Sequence, residues 1–367
     1  MTAPRIEIDL AAIEHNTRVL VDRLAARDVR VTGVTKATLG SPAVAAAMVR
    51  GGVAALGDSR VENLARLDLS GPRTLIRSPM ISQAAQVVRT ATTSLNTEPA
   101  VIAALDDAAT QANVRHDVIL MVELGDLREG IAVDDVATAA RVVLTSRSLR
   151  LRGLGANLAC QNGVVPDDTN MGVLHALVDR TELHHGVTLD VVSSGNSASL
   201  DWALTTAHVG RTTELRLGEA ILLGTEPLGR TPIAGLGTDA FTLVGEVIEV
   251  THKPTRPWGR QAQAAFGAPP EATARGTRRQ AIVALGRQDV DLDGLVPPGG
   301  IRVLGMSSDH LVLDVGDHRV AVGDELRFRL GYGALVRAMT SPFVTRVATS
   351  GPGVAGTPDA WRDRTSA

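Results

Sequence analysis

From Val31 onward, short apolar runs alternate with stretches whose apolar residues recur at helical spacing. The runs are Val31–Thr35, Ala54–Leu56, Thr74–Ile76, Ser94–Leu95, Val118–Val122, Leu151–Gly155, Leu189–Val192 and Glu214–Leu217. Most are followed by a helix-compatible stretch, among them Ser41–Arg50, Val61–Leu67, Glu98–Ala109, Val133–Val143, Met171–His184 and Ala198–Ala207. Upstream, Asp9 is a good N-cap, and the spacing of Leu10, Ile13, Leu20 and Leu24 predicts a helix. Eight strand-then-helix units predict an α/β fold, a TIM-like (β/α)8 barrel. A doubly wound open sheet has the same periodicity and is the structural alternative.

The pattern changes after about Thr225. Period-2 alternation begins at Phe241 and runs to Val250, followed by strand-like runs at Ala281–Leu285, Arg302–Met306, His310–Val315, Arg319–Val322 and Glu325–Leu330. Gly, Pro and Asp cluster between them, which predicts a smaller all-β domain. The expected division is residues 1–225 for the barrel, 226–350 for the β-rich domain and 351–367 for a polar tail. Thr251–Arg278, rich in Pro, Gly, Gln and Arg, is expected to be a long loop.

Composition narrows the function classes. A chain of 367 residues with 44% hydrophobic residues has material for a sizeable core, but aromatics make up only 2%, so Ala, Val, Leu and Ile must fill it. The net charge of −3 gives no long-range attraction to nucleic acid or an anionic membrane. A single cysteine, Cys160, excludes an intrachain disulfide. No uncharged apolar run reaches the ~18 residues of a membrane span, and the start of the chain lacks an apolar signal core. A soluble cytoplasmic protein is the expectation.

In a parallel barrel the chemistry lies at the C-terminal ends of the strands. The first run ends in Val34-Thr35-Lys36-Ala37. Lys36 and Lys253 are the only lysines of the chain. A lysine kept where Arg serves nearly everywhere else points to imine chemistry, which a guanidinium cannot perform; apolar surroundings would lower its pKa. A snorkelling surface lysine is the bland alternative. Arg128, after the fifth run, suits a phenolate or carboxylate, or an ordinary loop pair with Asp126 or Glu129. Asn157, after the sixth, suits the face or edge of a planar ring; Cys160 reads as packing. Ser193-Ser194-Gly195-Asn196-Ser197, after the seventh, suits an anion held by hydroxyls and backbone N–H groups, or a simple helix cap. Gly218, after the eighth, permits close backbone approach. Arg216 would be a guanidinium in the barrel mouth that needs a partner.

This constellation resembles the fold-type III pyridoxal 5′-phosphate (PLP) enzymes, the alanine racemase superfamily, and within it the alanine/ornithine racemase branch. The resemblance is carried by Val34–Ala37, Val122–Gly130, Ser194–Ser197 and Leu215–Gly224. It continues through Asp239–Leu243, Gly286–Asp291, Ser307–Asp314 and Tyr332–Thr340. It spans about Ile6 to Val344. It implies PLP as a Schiff base on Lys36, which is also one of two acid/base groups. The implied cofactor-binding set is Lys36, Arg128, Asn157, Ser194, Ser197, Arg216, Gly218 and Glu219, with no metal. Arg216 would face the pyridine nitrogen and, unable to give up its proton, keep the ring a modest electron sink, which favours racemisation over transamination.

The sequence departs from the family pattern at one place. Where the superfamily carries a Gly-Tyr element whose tyrosine is the second base, this chain has Gly286-Arg287. Arg287 would then hold a carboxylate, and Asp289, His310 and Tyr332, in that order, are the expected candidates for the second acid/base group. Ser308, Asp309, His310 and Tyr332 are expected near the substrate, supplied by the partner in a head-to-tail homodimer. The implied activity is racemisation of a free amino acid: ornithine first, another basic amino acid next, or alanine. Glu219, Glu226, Asp289 and Asp291 are the carboxylates available for a side-chain ammonium. The competing expectations are a D-amino-acid aldolase or dehydratase of the same fold type and a non-catalytic PLP-binding protein.

Overall fold

A computed structural model describes residues 2–266 and 276–349. The chain divides into two compact units: Ala11–Thr238, and the first ten residues together with the chain from Asp239 onward.

After β1 (Arg5–Asp9), eight strands build the first unit: β2 (Arg30–Val34), β3 (Ala55–Asp58), β4 (Arg73–Leu75), β5 (Thr93–Asn96), β6 (His116–Val122), β7 (Leu149–Ala156), β8 (Val191–Ser193) and β9 (Glu214–Leu217). Each pairs in parallel with the next, and β9 returns to β2 with Arg30 opposite Glu214 and Gly33 opposite Leu217. That closure distinguishes the barrel from the open sheet. Inside, Leu95, Ile119, Met121 and Val191 pack together with Ile76, the branched aliphatic filling that a chain poor in aromatics must use. Burying each such side chain is worth about 1.5–3 kcal/mol.

The helices start and stop where the local chemistry dictates. Ser41 caps the helix Pro42–Arg50, with proline in its first turn. The helix Asp168–His185 opens on a capping box between Asp167 and Asn170 and ends on Gly186 at φ 63°. Its buried residues Met171, Leu174, Leu177, Val178 and Thr181 fall at helical spacing. The helix Ala84–Thr90 follows β4 and was not among the expected stretches.

The second unit contains β10 (Phe241–Pro254), β11 (Thr277–Val283), β12 (Leu295–Val296), β13 (Arg302–Met306), β14 (Leu311–Asp314), β15 (Glu325–Leu330) and β16 (Thr345–Thr349). The sheet order is β12-β15-β10-β11-β14-β13, and a helix covers Tyr332–Thr340. Strand β1 belongs here: it pairs antiparallel with β10 and parallel with β16, burying Ile6 and Ile8. The expected barrel domain of 1–225 therefore differs from the observed unit at both ends, because β1 hydrogen-bonds into the other sheet and the chain to Thr238 stays with the barrel. Asn16, for example, donates to the carbonyls of Ile221 and Gly237.

Two further expectations change. Arg319–Val322 is not a strand, since the Arg279 guanidinium takes the carbonyls of His318 and Val320 that a ladder would use. The predicted loop Thr251–Arg278 is partly hairpin: Lys253 pairs with Arg278 and Pro254 with Thr277. Residues 267–275 of that segment, and the predicted tail 351–367, lie outside the described residues. Among those described, no helix is long and apolar enough to cross a membrane.

Candidate active site

The C-terminal ends of β2, β3, β6, β7, β8 and β9 gather most of the predicted groups. Lys36 leaves β2 in a short 3-10 turn, Lys36–Thr38. Burial pushes its amine below the usual lysine range. Cys160 and Asp58 pull the other way, while the charges of Arg128 and Arg216 lower it further. An amine so placed is uncharged more often than a surface lysine and is correspondingly nucleophilic.

Beneath it, Asp58 is fully buried at the end of β3. It accepts from Thr35 Oγ1 at 2.8 Å, the Arg60 N–H at 2.9 Å and Asn63 Nδ2 at 3.0 Å. The residue before Lys36 is thus fixed by a carboxylate that sequence reading did not single out.

Arg216 is 4% exposed on β9. Its guanidinium donates to the carbonyl of Ser193 at 3.1 Å and that of Ala156 at 2.8 Å, and to Ser193 Oγ at 2.5 Å. Ser193 in turn donates to Glu214 at 2.6 Å, and Thr32 donates to the other oxygen of Glu214 at 2.8 Å. The buried cation is therefore balanced through a hydroxyl relay rather than a direct ion pair, and burial lowers its pKa.

Asn157 accepts from Asn196 at 3.1 Å, but its own Nδ2 is buried without a partner. Ser197 Oγ lies 3.4 Å from the Gly218 N–H and 3.2 Å from that of Ala220. Gly195 is at φ +122°, and a Cβ there would lie 2.1 Å from Ser199 Oγ, so only glycine fits this turn. Ser194 does not join the group through its side chain: it is fully buried, with its hydroxyl 2.8 Å from Thr212 Oγ1.

Arg128 pairs with Glu129, the loop pairing considered from sequence, while its charge is felt at Lys36. Cys160 is not packing: it is exposed and accepts from Asn196 Nδ2 at 3.3 Å. Asn196 was the missed link. It sits in the Ser-Gly-Asn-Ser block and ties Asn157, the Leu158 carbonyl and Cys160 together.

These groups fit PLP. The unpartnered Asn157 Nδ2, whose Oδ1 lies 3.5 Å from Arg216, suits the polar edge of an aromatic ring. Ser197 with the Gly218 N–H suits a phosphate, and Lys36 suits an aldehyde.

Within the second unit, Gly286–Asp291 and Ser307–His310 lie against each other. The Arg287 N–H donates to the Ser307 carbonyl and that of Gln288 to the Ser308 carbonyl, both at 3.0 Å. The Arg287 guanidinium stacks 4.9 Å from the Phe266 ring centroid. His310 Nδ1 lies 2.9 Å from Asp309, which also accepts from Ser308 at 3.0 Å. Asp289 is 7% exposed and already engaged, by the Gly286 N–H at 2.9 Å and Ser341 Oγ at 3.3 Å. Tyr332 opens the helix Tyr332–Thr340.

The N-terminal domain of alanine racemase matches residues 8–227 of this chain. A lysine racemase of Thermotoga maritima is 37% identical over 357 residues, covering 95% of this chain and 99% of the relative. An ornithine racemase of Acetoanaerobium sticklandii is 34% identical, covering 94% of this chain and 99% of the relative. Among solved structures, an alanine racemase from Streptomyces coelicolor superposes with a TM-score of 0.74 at 20% identity, covering 95% of this chain and 98% of that one, a likeness of fold.

Proposed function

The chain belongs to the alanine racemase family and is a PLP-dependent amino-acid racemase, and we propose that it interconverts the enantiomers of a basic amino acid, ornithine or lysine. Both curated relatives are named for amino acids with a side-chain ammonium, which supports a basic substrate. The observation that carries the catalytic reading is the Lys36 amine, held below the usual lysine range at the strand ends beside a buried Arg216.

Bound PLP supplies an electron sink that acidifies the substrate's Cα–H. Lys36 would anchor it, the Ser197 hydroxyl and the Gly218 N–H would hold its phosphate, Asn157 Nδ2 would gain the partner it lacks, and Arg128 would stand by its phenolic oxygen. Arg216 stays protonated and offers N–H groups without surrendering a proton, which limits proton loss to Cα. The Lys36 amine takes or returns the Cα proton on one face, and burial, which lowers its pKa, favours the uncharged form that accepts it.

The opposite face needs a second group, supplied by the 286–310 cluster of a partner subunit in a homodimer. Of the expected candidates, His310 suits the task better than Asp289. Its ring is oriented by Asp309 and half exposed, whereas both oxygens of Asp289 are taken within its own fold.

The test is to incubate PLP-loaded protein with L- and D-ornithine, lysine and alanine in deuterated water, following chirality and Cα–H loss. Ornithine or lysine should approach equal enantiomers from either side. Bound cofactor with no exchange at Cα of any amino acid would overturn the reading.

A further inference from the structure

Glu219 stands apart from the other carboxylates of the barrel's C-terminal end. It follows Gly218 directly after β9 and opens the short helix Glu219–Leu223. Its side chain is only 13% exposed, yet none of the described residues donates a hydrogen bond to it. The nearest cation, Arg230, is 3.8 Å away and two-thirds exposed. Burial raises its carboxyl pKa; the charge of Arg230 opposes this, Glu226 adds to it and Lys36 opposes it. Lys36 and Glu219 therefore feel each other's charge at the same strand ends.

Glu226, Glu129, Glu123, Asp58 and Asp126 are already committed. Glu226 accepts from the N–H groups of Leu228 at 2.7 Å, Gly229 at 2.9 Å and Thr231 at 2.9 Å, and from the Thr231 hydroxyl at 2.8 Å. Glu129 pairs with Arg128, and Glu123 accepts from the N–H groups of Gly125 and Leu127. Asp58 and Asp126 each receive three donors. A mostly buried carboxylate without a donor is costly, and the cost is removed by a ligand that brings its own N–H groups and positive charge. The α-carboxylate of the substrate is an anion and is repelled.

Resting on the racemase reading above, we propose that Glu219 is the specificity-determining residue, taking the side-chain ammonium of ornithine or lysine while Lys36 acts at Cα. Neutral side chains with the same number of carbons leave the carboxylate unpaired and are rejected for that reason.

The experiment compares the PLP-loaded wild type with Glu219→Gln and the shorter Glu219→Asp. The substrates are ornithine against norvaline and lysine against norleucine. kcat and KM are read separately, and binding of each amino acid is measured by calorimetry on enzyme whose cofactor has been fixed to Lys36 by borohydride. In Glu219→Gln the ornithine-to-norvaline ratio of kcat/KM should fall about 10- to 100-fold, mostly through KM, and binding of ornithine should weaken in parallel. Glu219→Asp, which keeps the charge, should retain more of the ratio than Glu219→Gln. An equal loss on charged and neutral substrates, or a loss of bound PLP with the ratio intact, would assign Glu219 to the cofactor and overturn the proposal. A wild type that racemises neither ornithine nor lysine would overturn the substrate reading as well, which separates the two failures.

Discussion

Asp126 and Asn162 hold each other across two loops. The Asp126 carboxylate accepts the Asn162 N–H at 3.0 Å, and the Asn162 side chain donates to the Asp126 carbonyl at 2.6 Å. The same carboxylate accepts the N–H groups of Cys160 at 3.1 Å and Gln161 at 3.0 Å. Burial alone would raise its pKa, but the backbone donors outweigh burial and hold it below the usual carboxylate range. One aspartate thereby locks the loop after β6, which carries Arg128, to the loop after β7, which carries Cys160.

Asp126→Ala should release both loops together. The loss of three charge-assisted bonds is expected to cost about 1–3 kcal/mol in stability by urea unfolding. PLP affinity should fall as well, measured by fluorescence titration of the apoprotein. Unchanged affinity with lowered stability would confine the aspartate to a structural role.

Lys36→Ala should abolish both the visible absorption of lysine-bound PLP and all Cα exchange, while leaving the circular dichroism spectrum in place. Lys36→Arg should do the same, because a guanidinium keeps the charge but cannot form the imine. Exchange surviving in either variant would place the catalytic amine elsewhere.

His116 predicts an acid-sensitive barrel. It is 1% exposed, with Nε2 2.7 Å from Ser94 Oγ, and burial pushes its pKa from 6.5 to about 4. The folded state thus resists a proton that the unfolded chain accepts. The stability this confers is complete above pH 6.5, declines as pH falls below it and is spent near pH 4. The total is about 3 kcal/mol. Urea unfolding at stepped pH should show a steeper decline for wild type than for His116→Asn across that window. Parallel curves would refute it.

Gly195→Ala should destabilise the turn between β8 and the Ser197–Ser199 turn by about 1–3 kcal/mol and reduce PLP retention on gel filtration. Adding Ser199→Ala removes the 2.1 Å clash but not the φ of +122°, so it should restore only part of the loss. Full rescue would show that crowding alone makes the glycine necessary.

Period and punctuation made the barrel legible. All eight strands lie where short apolar runs stand between helical stretches, and the ends of those runs single out Lys36, Asn157, Ser197, Arg216 and Gly218, which the folded barrel gathers at its C-terminal strand ends. Pairing between distant segments was not legible. Nothing local in Arg5–Asp9 says that its partners are Phe241–Val244 and Thr345–Thr349. Nor does Asp58 or Asp126 announce itself, since each acts by receiving donors that only the folded chain brings near. Arg319–Val322 has a strand's alternation, but a guanidinium from β11 claims its carbonyls.

Strand β1 also dictates an order of events during synthesis. It is made before the barrel, yet its neighbours are β10 and β16, both made only after the whole barrel. At ~5–20 residues per second, Ile6 and Ile8 wait tens of seconds for the surfaces that bury them. The β-rich sheet is therefore sealed only once β16 has been made, by bringing side by side two strands synthesised before and after the barrel. Deleting either β1 or β16 removes one half of the same strand pair.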